Sequence, residues 1–255
     1  MLDTCSHKFR TPEGLLIFVP TEKGRRAGEA IVRRVLGRWK PPPHFFHFKA
    51  GGHVAASRHH LGSAWFARLD IRAFFDSVTR SKLHRALRWL RFPQEEAWEI
   101  AVQSTVQKVP GGRFSLPFGF VQSPVLASIA LDRSALGTCF RSARRGGAKL
   151  SVYVDDVLAS ATAEAALQDY VEALGSAAAR AGFELNGGKS QIGLPMVEAF
   201  NLLLSPSDLR VTPERMAEFE GVERTPGQVR EAAIVGYVET VNPGQADALR
   251  ALYGL

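Results

Sequence analysis

The sequence predicts an α+β protein in which a small antiparallel sheet is covered by several helices. Short apolar runs that end in acids, or are interrupted by them, indicate strands and a hairpin. Longer stretches with apolar residues at helical spacing lie between these runs and are bounded by proline and glycine. Because no internal repeat and no low-complexity linker divides the chain, the elements are expected to form one large domain or closely joined subdomains.

Proline, glycine and capping residues set the expected limits of the helices. A run of three prolines stops the first helix, and Gly182 ends an alanine-rich one. Thr79 or Ser81 can cap the helix after the first acid, which carries three leucines on one face. In chain order, the predicted elements are an extended segment over 1–20 with a turn at 12–14, a helix over 27–39, a strand ending at Asp70, helices at about 79–91 and 94–107, a long helix from Pro124 to about Arg145, a hairpin over 150–159, a helix over 163–181, a strand and turn over 183–190, strands over 200–204 and 209–212, and a helical tail over 227–255 with a break at 242–244.

The bulk composition favours a soluble protein of the cytoplasm. The chain has 255 residues, of which 45% are hydrophobic, and this is enough for a substantial core. No apolar stretch approaches the length of a membrane span, and the N-terminus lacks the apolar region of a signal peptide. Cys5 and Cys139 have no metal-like spacing and are expected to be free thiols in a reducing compartment.

The charge of the chain favours a polyanionic partner such as nucleic acid. The net charge is +7, the sequence pI is about 9.7, and arginine greatly outnumbers lysine. An alternative is that the excess charge only aids solubility. The basic residues are clustered at 23–26, 33–40, 80–91 and 141–145.

The segment Tyr153-Val154-Asp155-Asp156 places two adjacent acids inside an apolar run. Neighbouring carboxylates repel each other and are costly to bury, so a divalent cation is the natural compensation. Asp70, eighty-five positions before Asp155, also ends an apolar stretch and precedes a predicted helix.

Asp70 and Asp155 would meet if the strand ending at Asp70 lies beside the hairpin. Since successive strand residues point to opposite faces, only one of Asp155 and Asp156 can be a direct ligand, while the other flanks the site. Two Mg²⁺ ions held by Asp70 and Asp155 would serve in-line phosphoryl transfer. The alternative is that Asp70 caps a helix and the paired acids form an ordinary turn.

The order of several motifs resembles the prokaryotic reverse transcriptases of retrons, group II introns and phage defence. The resemblance extends over nearly the whole chain, and several motifs in the correct order are more specific than any one of them. The matching segments are Phe48–Ser57 between fingers and palm, Asp70–Phe75 for the first palm motif, Gly119–Pro124 for the second, Tyr153–Asp156 for the third, Leu185–Lys189 for the fourth, the following strand Phe200–Leu204, and Gly236–Pro243 in the thumb.

The resemblance implies the fold and the activity of a right-hand polymerase. Its fingers would comprise residues 1–62 and 79–115, its palm 63–78 and 116–212, and its small helical thumb 213–255. The implied activity is RNA-directed DNA polymerisation, in which deoxynucleotides are added with two Mg²⁺ ions that Mn²⁺ can replace. The implied partners are an RNA template or non-coding RNA, the DNA product, deoxynucleotides, and a partner protein or second copy of the chain, without a membrane.

The resemblance also implies a role for each matching residue. The catalytic acids would be Asp70, Asp155 and Asp156, and metal ions would be held by these acids and Ile71. The nucleotide would be bound by Phe75, Phe118, Gly119 and Lys189, and nucleic acid would be bound by Ser123, Pro124, Arg25, Arg26 and Tyr153.

Two of these roles have structural alternatives. Phe75 matches the family's steric gate, whose ring excludes a ribonucleotide 2′-hydroxyl, but it can also be an ordinary core residue, and Phe74 competes for the role. Lys189 can approach the leaving pyrophosphate as an acid or a positive charge, or it can be a solvated turn residue.

Two departures from the family pattern favour a specialised enzyme. The second motif usually begins Pro-Gln-Gly, whereas Phe118 replaces the glutamine here, and no arginine follows Gly14 in the fingers turn. Arg10 or the cluster at 23–26 is a candidate substitute for that arginine. The expected role is antiviral defence with a dedicated non-coding RNA.

Four alternatives are weighed against this expectation. One is a retron enzyme that makes a short single-stranded DNA, and another is a non-catalytic nucleic-acid-binding protein that kept the fold, against which the intact acids argue. Tyr153 and Phe75 disfavour an RNA-dependent RNA polymerase, and the helix opened by Ser123-Pro124 disfavours a nucleotide cyclase.

Overall fold

The computed structural model describes residues 4–12, 14–224 and 226–255, and its mixture of helices and strands confirms the predicted α+β class. The strands are β1 Cys5–Arg10, β2 Leu16–Pro20, β3 Trp65–Asp70, β4 Val106–Gln107, β5 Phe114–Ser115, β6 Lys149–Tyr153, β7 Asp156–Ala161, β8 Gln191–Leu194, β9 Val197–Ala199, β10 Leu202–Leu204 and β11 Leu209–Val211. The α-helices are α1 Glu22–Leu36, α2 Gly52–Arg58, α3 Phe74–Ser77, α4 Arg80–Trp89, α5 Gln94–Ser104, α6 Ser123–Asp132, α7 Ala135–Ser142, α8 Glu164–Ala181, α9 Pro213–Glu220, α10 Val229–Val241 and α11 Pro243–Tyr253.

The chain divides into two compact units, each assembled from several segments. The first unit comprises Met1–Phe45, Ile71–Ser142 and Ala173–Asn186, and the second comprises Phe46–Asp70, Ala143–Glu172 and Gly187–Leu255. The boundaries of fingers, palm and thumb given above stay a prediction.

The second unit contains a four-stranded antiparallel sheet in the order β6-β7-β3-β8. Strands β3 and β7 pair over their full length, from Trp65 opposite Ala161 to Asp70 opposite Asp156. The β3 side chains of Phe66, Ala67 and Leu69 are buried, so the apolar run before Asp70 anchors that acid at the end of a core strand.

The second unit also carries a three-stranded antiparallel sheet, β11-β10-β9, packed with helices α9 to α11. Leucine and valine residues of this sheet, such as Leu202 and Leu204, share one hydrophobic core with Val238 and Leu249 from the helices. The Arg58 guanidinium of α2 donates a 2.7 Å hydrogen bond to the Thr240 carbonyl in α10. The C-terminal helices are therefore part of the core of this unit.

The first unit is built on the β1–β2 hairpin and helices α1, α4, α5 and α6. Thr79 caps α4 by accepting the Lys82 backbone N–H, which decides between the two predicted caps. The predicted leucine face of this helix is confirmed, because Leu83, Leu87 and Leu90 are all buried.

Three predicted helices have different limits in the structure. Helix α5 ends at Ser104 rather than 107, because Val106 and Gln107 form strand β4. Helix α1 begins at Glu22 rather than 27, because the Thr21 hydroxyl accepts the Gly24 N–H and caps it, and it ends at Leu36 rather than 39. The long helix predicted after Pro124 is divided into α6 and α7. The Ser134 hydroxyl accepts the N–H groups at the start of α7, so a new helix begins there.

Several short elements were not predicted from the sequence. They are α2, α3, α9, β8 and β9. A hairpin or loop was predicted at Gly111-Gly112, and the structure has the β4–β5 hairpin there. The strand predicted over 183–190 is reduced to a single bridge between Leu185 and Ile71, followed by a turn. In the described ranges of the chain, no helix is long and apolar enough to cross a bilayer.

Candidate active site

The paired acids lie at the tip of the β6–β7 hairpin. Tyr153 pairs with Asp156, so Val154 and Asp155 form the connecting turn. Val154 has a φ of +60°, a left-handed conformation that is unfavourable for a β-branched residue. Such a conformation persists only where the surrounding structure holds it, and it is frequent at functional sites.

A half-buried histidine that sequence reasoning missed fixes this turn. The Nδ1 atom of His47 accepts the Val154 N–H at 3.1 Å. Burial lowers the pKa of His47 to about 4, so its ring is neutral and able to accept at pH 7. In the sequence, the only indication of this role is the cluster of histidines over 44–53. The contact itself could not be predicted, since it joins residues far apart in the chain.

Asp70 and Asp156 are brought together by the register of β3 and β7. They are directly opposite each other, with side chains that are 13% and 18% exposed. Arg68, on the same strand as Asp70, donates from Nε to Asp156 Oδ1 at 3.0 Å. This contact, also missed in the sequence, engages Asp156, while the role of Asp155 as the direct ligand of the pair stays a prediction.

The electrostatics of Asp155 and Asp156 disfavour full ionisation of this pair. Burial, together with the charges of Asp156 and Asp70, raises the pKa of Asp155 to about 6, against the opposite effects of a backbone hydrogen bond and of Lys189. Burial also raises the pKa of Asp156, although Arg68 opposes this shift. The protein alone therefore compensates the negative charge of the cluster only in part.

The donor chemistry of the cluster fits a hard divalent cation. Among the described residues, no group of three or more His, Cys, Asp or Glu side chains is arranged to hold a metal ion. Asp70 and Asp155 nevertheless offer carboxylate oxygens, the ligands that Mg²⁺ and Mn²⁺ prefer, where negative charge is poorly compensated. Ile71, the next residue after Asp70, belongs to the first unit and bridges to Leu185, and its part in metal binding stays a prediction.

We expect metal-free protein to become more stable at neutral pH when Asp155 is replaced by Asn. Because the pKa of Asp155 is raised in the folded protein, its carboxyl contributes stability that is fully present when the pH is below the ordinary pKa of 3.8. This contribution is lost as the pH rises through the folded-state pKa of about 6. After allowance for solvent screening, the gain at pH 7.5 should be about 1–2 kcal/mol, or roughly 2–8 °C in Tm. Thermal melts in a chelator at pH 7.5 and pH 4 measure it.

The gain from Asp155→Asn should shrink toward pH 4, where the Asp155 carboxyl is protonated in the folded protein and about half protonated in the unfolded chain. Asp247→Asn is the matched control, because that acid is 71% exposed on the surface of α11. A gain that grows on acidification would contradict the electrostatic explanation.

Lys189 lies in the turn before β8 and contacts Asp70. Its Nζ atom is 3.9 Å from Asp70 Oδ1, and its side chain is 66% exposed. The structure thus brings this predicted residue to the acid cluster, where its charge is available to solvent. Its predicted contact with the leaving pyrophosphate remains untested.

An aromatic cavity of about 530 Å³ includes Tyr153, the tyrosine that begins the acid motif. Phe200 and Asn201 line it with left-handed φ values of +57° and +59°, like that of Val154 in the hairpin turn. The Tyr153 and Phe200 rings contact at 5.3 Å between centroids. The other lining residues are His53, Arg215, Phe219, Arg230, Ala233, Ile234 and Tyr237.

Within the first unit, two predicted nucleotide-binding residues contact each other. The Phe75 and Phe118 rings meet edge to face, with centroids 4.6 Å apart. Phe75 is 7% exposed, and Phe74 is more deeply buried at 2%. Both rings are buried, and the choice between Phe75 and Phe74 as the gate stays a prediction.

We expect Phe75→Val to relax discrimination against ribonucleotides by about tenfold or more, because removal of a ring opens space in a pocket that excludes by shape. The ratio of kcat/KM for a deoxynucleotide and its ribonucleotide measures this effect. Phe74→Leu is the control, since its ring lies 6.1 Å from Phe183 in the core. Unchanged discrimination in Phe75→Val would identify Phe75 as a packing residue.

Gly119 holds the Phe118 backbone close to strand β2. Its φ is +101°, and a Cβ atom there would lie 2.2 Å from the Phe18 carbonyl oxygen. The Phe18 N–H donates to the Phe118 carbonyl at 2.9 Å. The glycine is therefore required by both its backbone conformation and this close approach.

A second cavity, about 450 Å³ in volume, lies in the first unit and includes Phe118. Arg10, Lys108 and Arg113 give it positive charge, and Lys108 forms an ion pair with Asp76. Arg10 also donates to the Gly14 carbonyl at 2.8 Å. Of the two substitutes considered for the missing arginine, Arg10 is the one that lines this cavity.

The remaining predicted residues of the first unit lie at the starts of two helices. Ser123 and Pro124 begin α6, where Ser123 is only 1% exposed. Arg25 and Arg26 lie near the start of α1, and both form ion pairs with Glu22. The nucleic-acid contacts predicted for these four residues stay predictions.

The family model for reverse transcriptase (RNA-dependent DNA polymerase) matches residues 16–238, which include the acid cluster and both phenylalanines. The chain belongs to the reverse transcriptase family. Members of this family use divalent metal ions, in agreement with the donor chemistry of Asp70 and Asp155.

Solved structures show that this reverse transcriptase has the fold of known polymerases. A foamy viral protease-reverse transcriptase in complex with double-stranded DNA has 16% identity and a TM-score of 0.55, with 97% of this chain and 38% of the other covered. Telomerase from Candida albicans in complex with a fragment of telomeric RNA has 11% identity and a TM-score of 0.62, with 94% and 53% covered. Apo telomerase from Candida tropicalis has 11% identity and a TM-score of 0.61, with 98% and 57% covered.

The reverse transcriptase therefore spans between 38% and 57% of the lengths of these three chains. At this level of identity the likeness concerns the fold, and the predicted α+β polymerase fold is confirmed.

Proposed function

We propose that this reverse transcriptase is an RNA-directed DNA polymerase that adds deoxynucleotides with the help of two Mg²⁺ ions, which Mn²⁺ can replace. The observation that carries the proposal is the acid cluster: Asp70 opposite Asp156, with Asp155 in the adjoining turn and Arg68 engaging Asp156. The raised pKa of Asp155 shows that this arrangement is electrostatically costly without a cation.

The carboxylates of Asp70 and Asp155 would hold the ions. When bound, divalent ions activate a hydroxyl nucleophile and neutralise a triphosphate. Arg68 orients Asp156, and His47 orients the Val154 peptide, so both act as positioning residues for the hairpin tip. Lys189 contributes positive charge beside Asp70.

The aromatic cavity beside Tyr153 supports a nucleic-acid substrate. Its rings provide surfaces on which bases or sugars stack, and Arg215 and Arg230 provide positive charge for phosphates. We infer that it receives the strand to which nucleotides are added. The Phe75 and Phe118 pair supplies an apolar wall suited to a deoxyribose.

We also propose that the enzyme is specialised, acting in the bacterial cytoplasm in antiviral defence with a dedicated non-coding RNA. The support is Phe118 in the position of a polar amide, which replaces a hydrogen bond with an aromatic edge. A partner protein or a second copy of the chain would complete the nucleotide site.

Incorporation of labelled deoxynucleotides tests the proposed activity. We expect purified protein to incorporate them with Mg²⁺, and more efficiently with its co-purifying RNA than with a generic primed RNA. Efficient processive copying of generic RNA by the protein alone would contradict the specialised role. Lack of incorporation under every condition, including co-expression with the neighbouring sequences, would contradict the polymerase assignment.

A further inference from the structure

A basic groove lies on the first unit, between α4, the junction of α6 and α7, and the end of α8. It encloses about 340 Å³, comparable with a small ligand pocket. Among the described residues that line it, none is acidic. We use the name basic groove for the site formed by Lys82, Arg85, Trp89, Arg133 and Arg180.

The positive charge of the basic groove is only partly compensated within the protein. Arg133 Nε lies 3.2 Å from Asp132 Oδ2, but Asp132 also binds Arg141 at 2.6 Å and Trp39 at 3.0 Å. One buried carboxylate therefore serves two guanidinium groups. Burial and the charge of Arg85 lower the pKa of Lys82, which donates to a backbone carbonyl rather than to an acid.

Trp89 adds an aromatic surface to this charge. It is 58% exposed, unusual for so large an apolar side chain. The guanidinium carbon of Arg133 lies 3.2 Å from the centroid of its ring. A cation on the ring leaves exposed indole surface, onto which a nucleobase can stack.

The groove continues into a neighbouring cavity of about 410 Å³ that shares Lys82, Arg85 and Arg180. Arg113 adds a further cation there, and Asp76, the acid that lines it, forms an ion pair with Lys108. Positive charge is thus extended over two adjoining cavities, which suits a chain of phosphates better than a single small anion.

We propose that the basic groove binds a single-stranded nucleic acid, with its phosphates on Lys82, Arg85 and Arg180 and an unstacked base on Trp89. The combination of phosphate-binding cations and one exposed ring matches the chemistry of single strands, whose bases are free to stack. In a duplex the bases are paired and stacked, so a duplex would contact the cations of the groove but could not stack a base on Trp89. None of the residues predicted to bind template, primer or nucleotide lines this groove.

Fluorescence anisotropy with short labelled single-stranded RNA, single-stranded DNA and duplex RNA tests the proposal. We expect Arg85→Gln/Arg180→Gln to bind single strands about tenfold or more weakly and to reduce the log–log salt slope by roughly one to two. We expect Trp89→Ala to lower affinity by about tenfold, through lost stacking, without a change in salt slope. Comparison of the RNA and DNA arms identifies which strand the groove receives.

Matched controls separate this groove from general surface charge. The control variant Arg210→Gln/Arg250→Gln removes two arginines of the second unit, and the control variant Trp98→Ala removes another exposed tryptophan. Both control variants should bind single strands with nearly the affinity of the parent protein. Quenching of tryptophan fluorescence by RNA should be smaller in Trp89→Phe than in Trp98→Phe. This measurement does not depend on the stability of the arginine variants.

Three results would overturn the proposal: equal losses in the groove and control variants, an unchanged salt slope in Arg85→Gln/Arg180→Gln, or a preference for the duplex. Asp155→Asn distinguishes this proposal from the polymerase assignment. That variant should keep single-strand binding by the groove while it loses incorporation. Single-strand binding by the groove and deoxynucleotide incorporation can therefore be tested independently of each other.

Discussion

Asp155→Asn should lower deoxynucleotide incorporation by about three orders of magnitude or more while the protein remains folded. The substitution keeps the shape of the side chain but removes the charge that the proposed site needs to hold a divalent ion. Because Asp155 lies in the hairpin turn, where its ionisation is unfavourable without a cation, the fold does not depend on its charge. Single-turnover incorporation with saturating Mg²⁺ and Mn²⁺ measures the loss.

Asp208→Asn is a suitable control for this experiment, since that acid belongs to a surface turn and pairs with Arg210. It should retain parental activity. Wild-type incorporation by Asp155→Asn would remove the polymerase assignment, whereas loss of activity with a lowered Tm would show that the carboxylate has a structural role instead.

Gly119→Ala should destabilise the protein by about 3 kcal/mol or more, the largest effect we expect from a single methyl group. A left-handed conformation costs alanine about 1–2 kcal/mol, and the added Cβ would also meet the Phe18 carbonyl oxygen at 2.2 Å. Relief of that contact requires separation of the Phe118 carbonyl from the Phe18 N–H. Denaturant unfolding measures the change in the free energy of unfolding.

Gly111→Ala isolates the contribution of the close approach. Gly111 also has a positive φ, of +72°, but a Cβ atom there would meet nothing within 4 Å. Gly111→Ala should lower the free energy of unfolding by only about 1 kcal/mol. Equal losses in the two variants would mean that backbone conformation alone explains the requirement for glycine at position 119.

The acid cluster could be predicted from the sequence because its signals are local. An apolar run interrupted by Asp155 and Asp156 indicates a hairpin, and the run that ends at Asp70 indicates a strand. The cap at Thr79 and the spacing of its leucines likewise lie within one helical segment. Such local patterns predict strands, hairpins and helices regardless of which other elements pack against them.

The supporting contacts could not be predicted, because they join distant parts of the chain. His47 binds the Val154 N–H across 107 positions, and Arg68 reaches Asp156 across 88. Helix α2 was missed for a different reason. The sequence over 44–53, which ends in Gly51, Gly52 and His53, is typical of a loop, yet Gly51 and Gly52 have positive φ values at the start of a helix. Local propensity was overridden there by the tertiary setting.

Because Asp70 is paired with Asp156, the site should tolerate insertions and deletions in some segments of the chain but not in β3 or the hairpin turn. Removal of one residue from β3 would shift its register by one step and carry Asp70 to the opposite face of the sheet. The loop at 108–113, in contrast, joins β4 and β5 of the first unit and takes no part in this pairing. Insertions in natural variants should therefore accumulate in such connections, while β3 and the hairpin turn keep a constant number of residues.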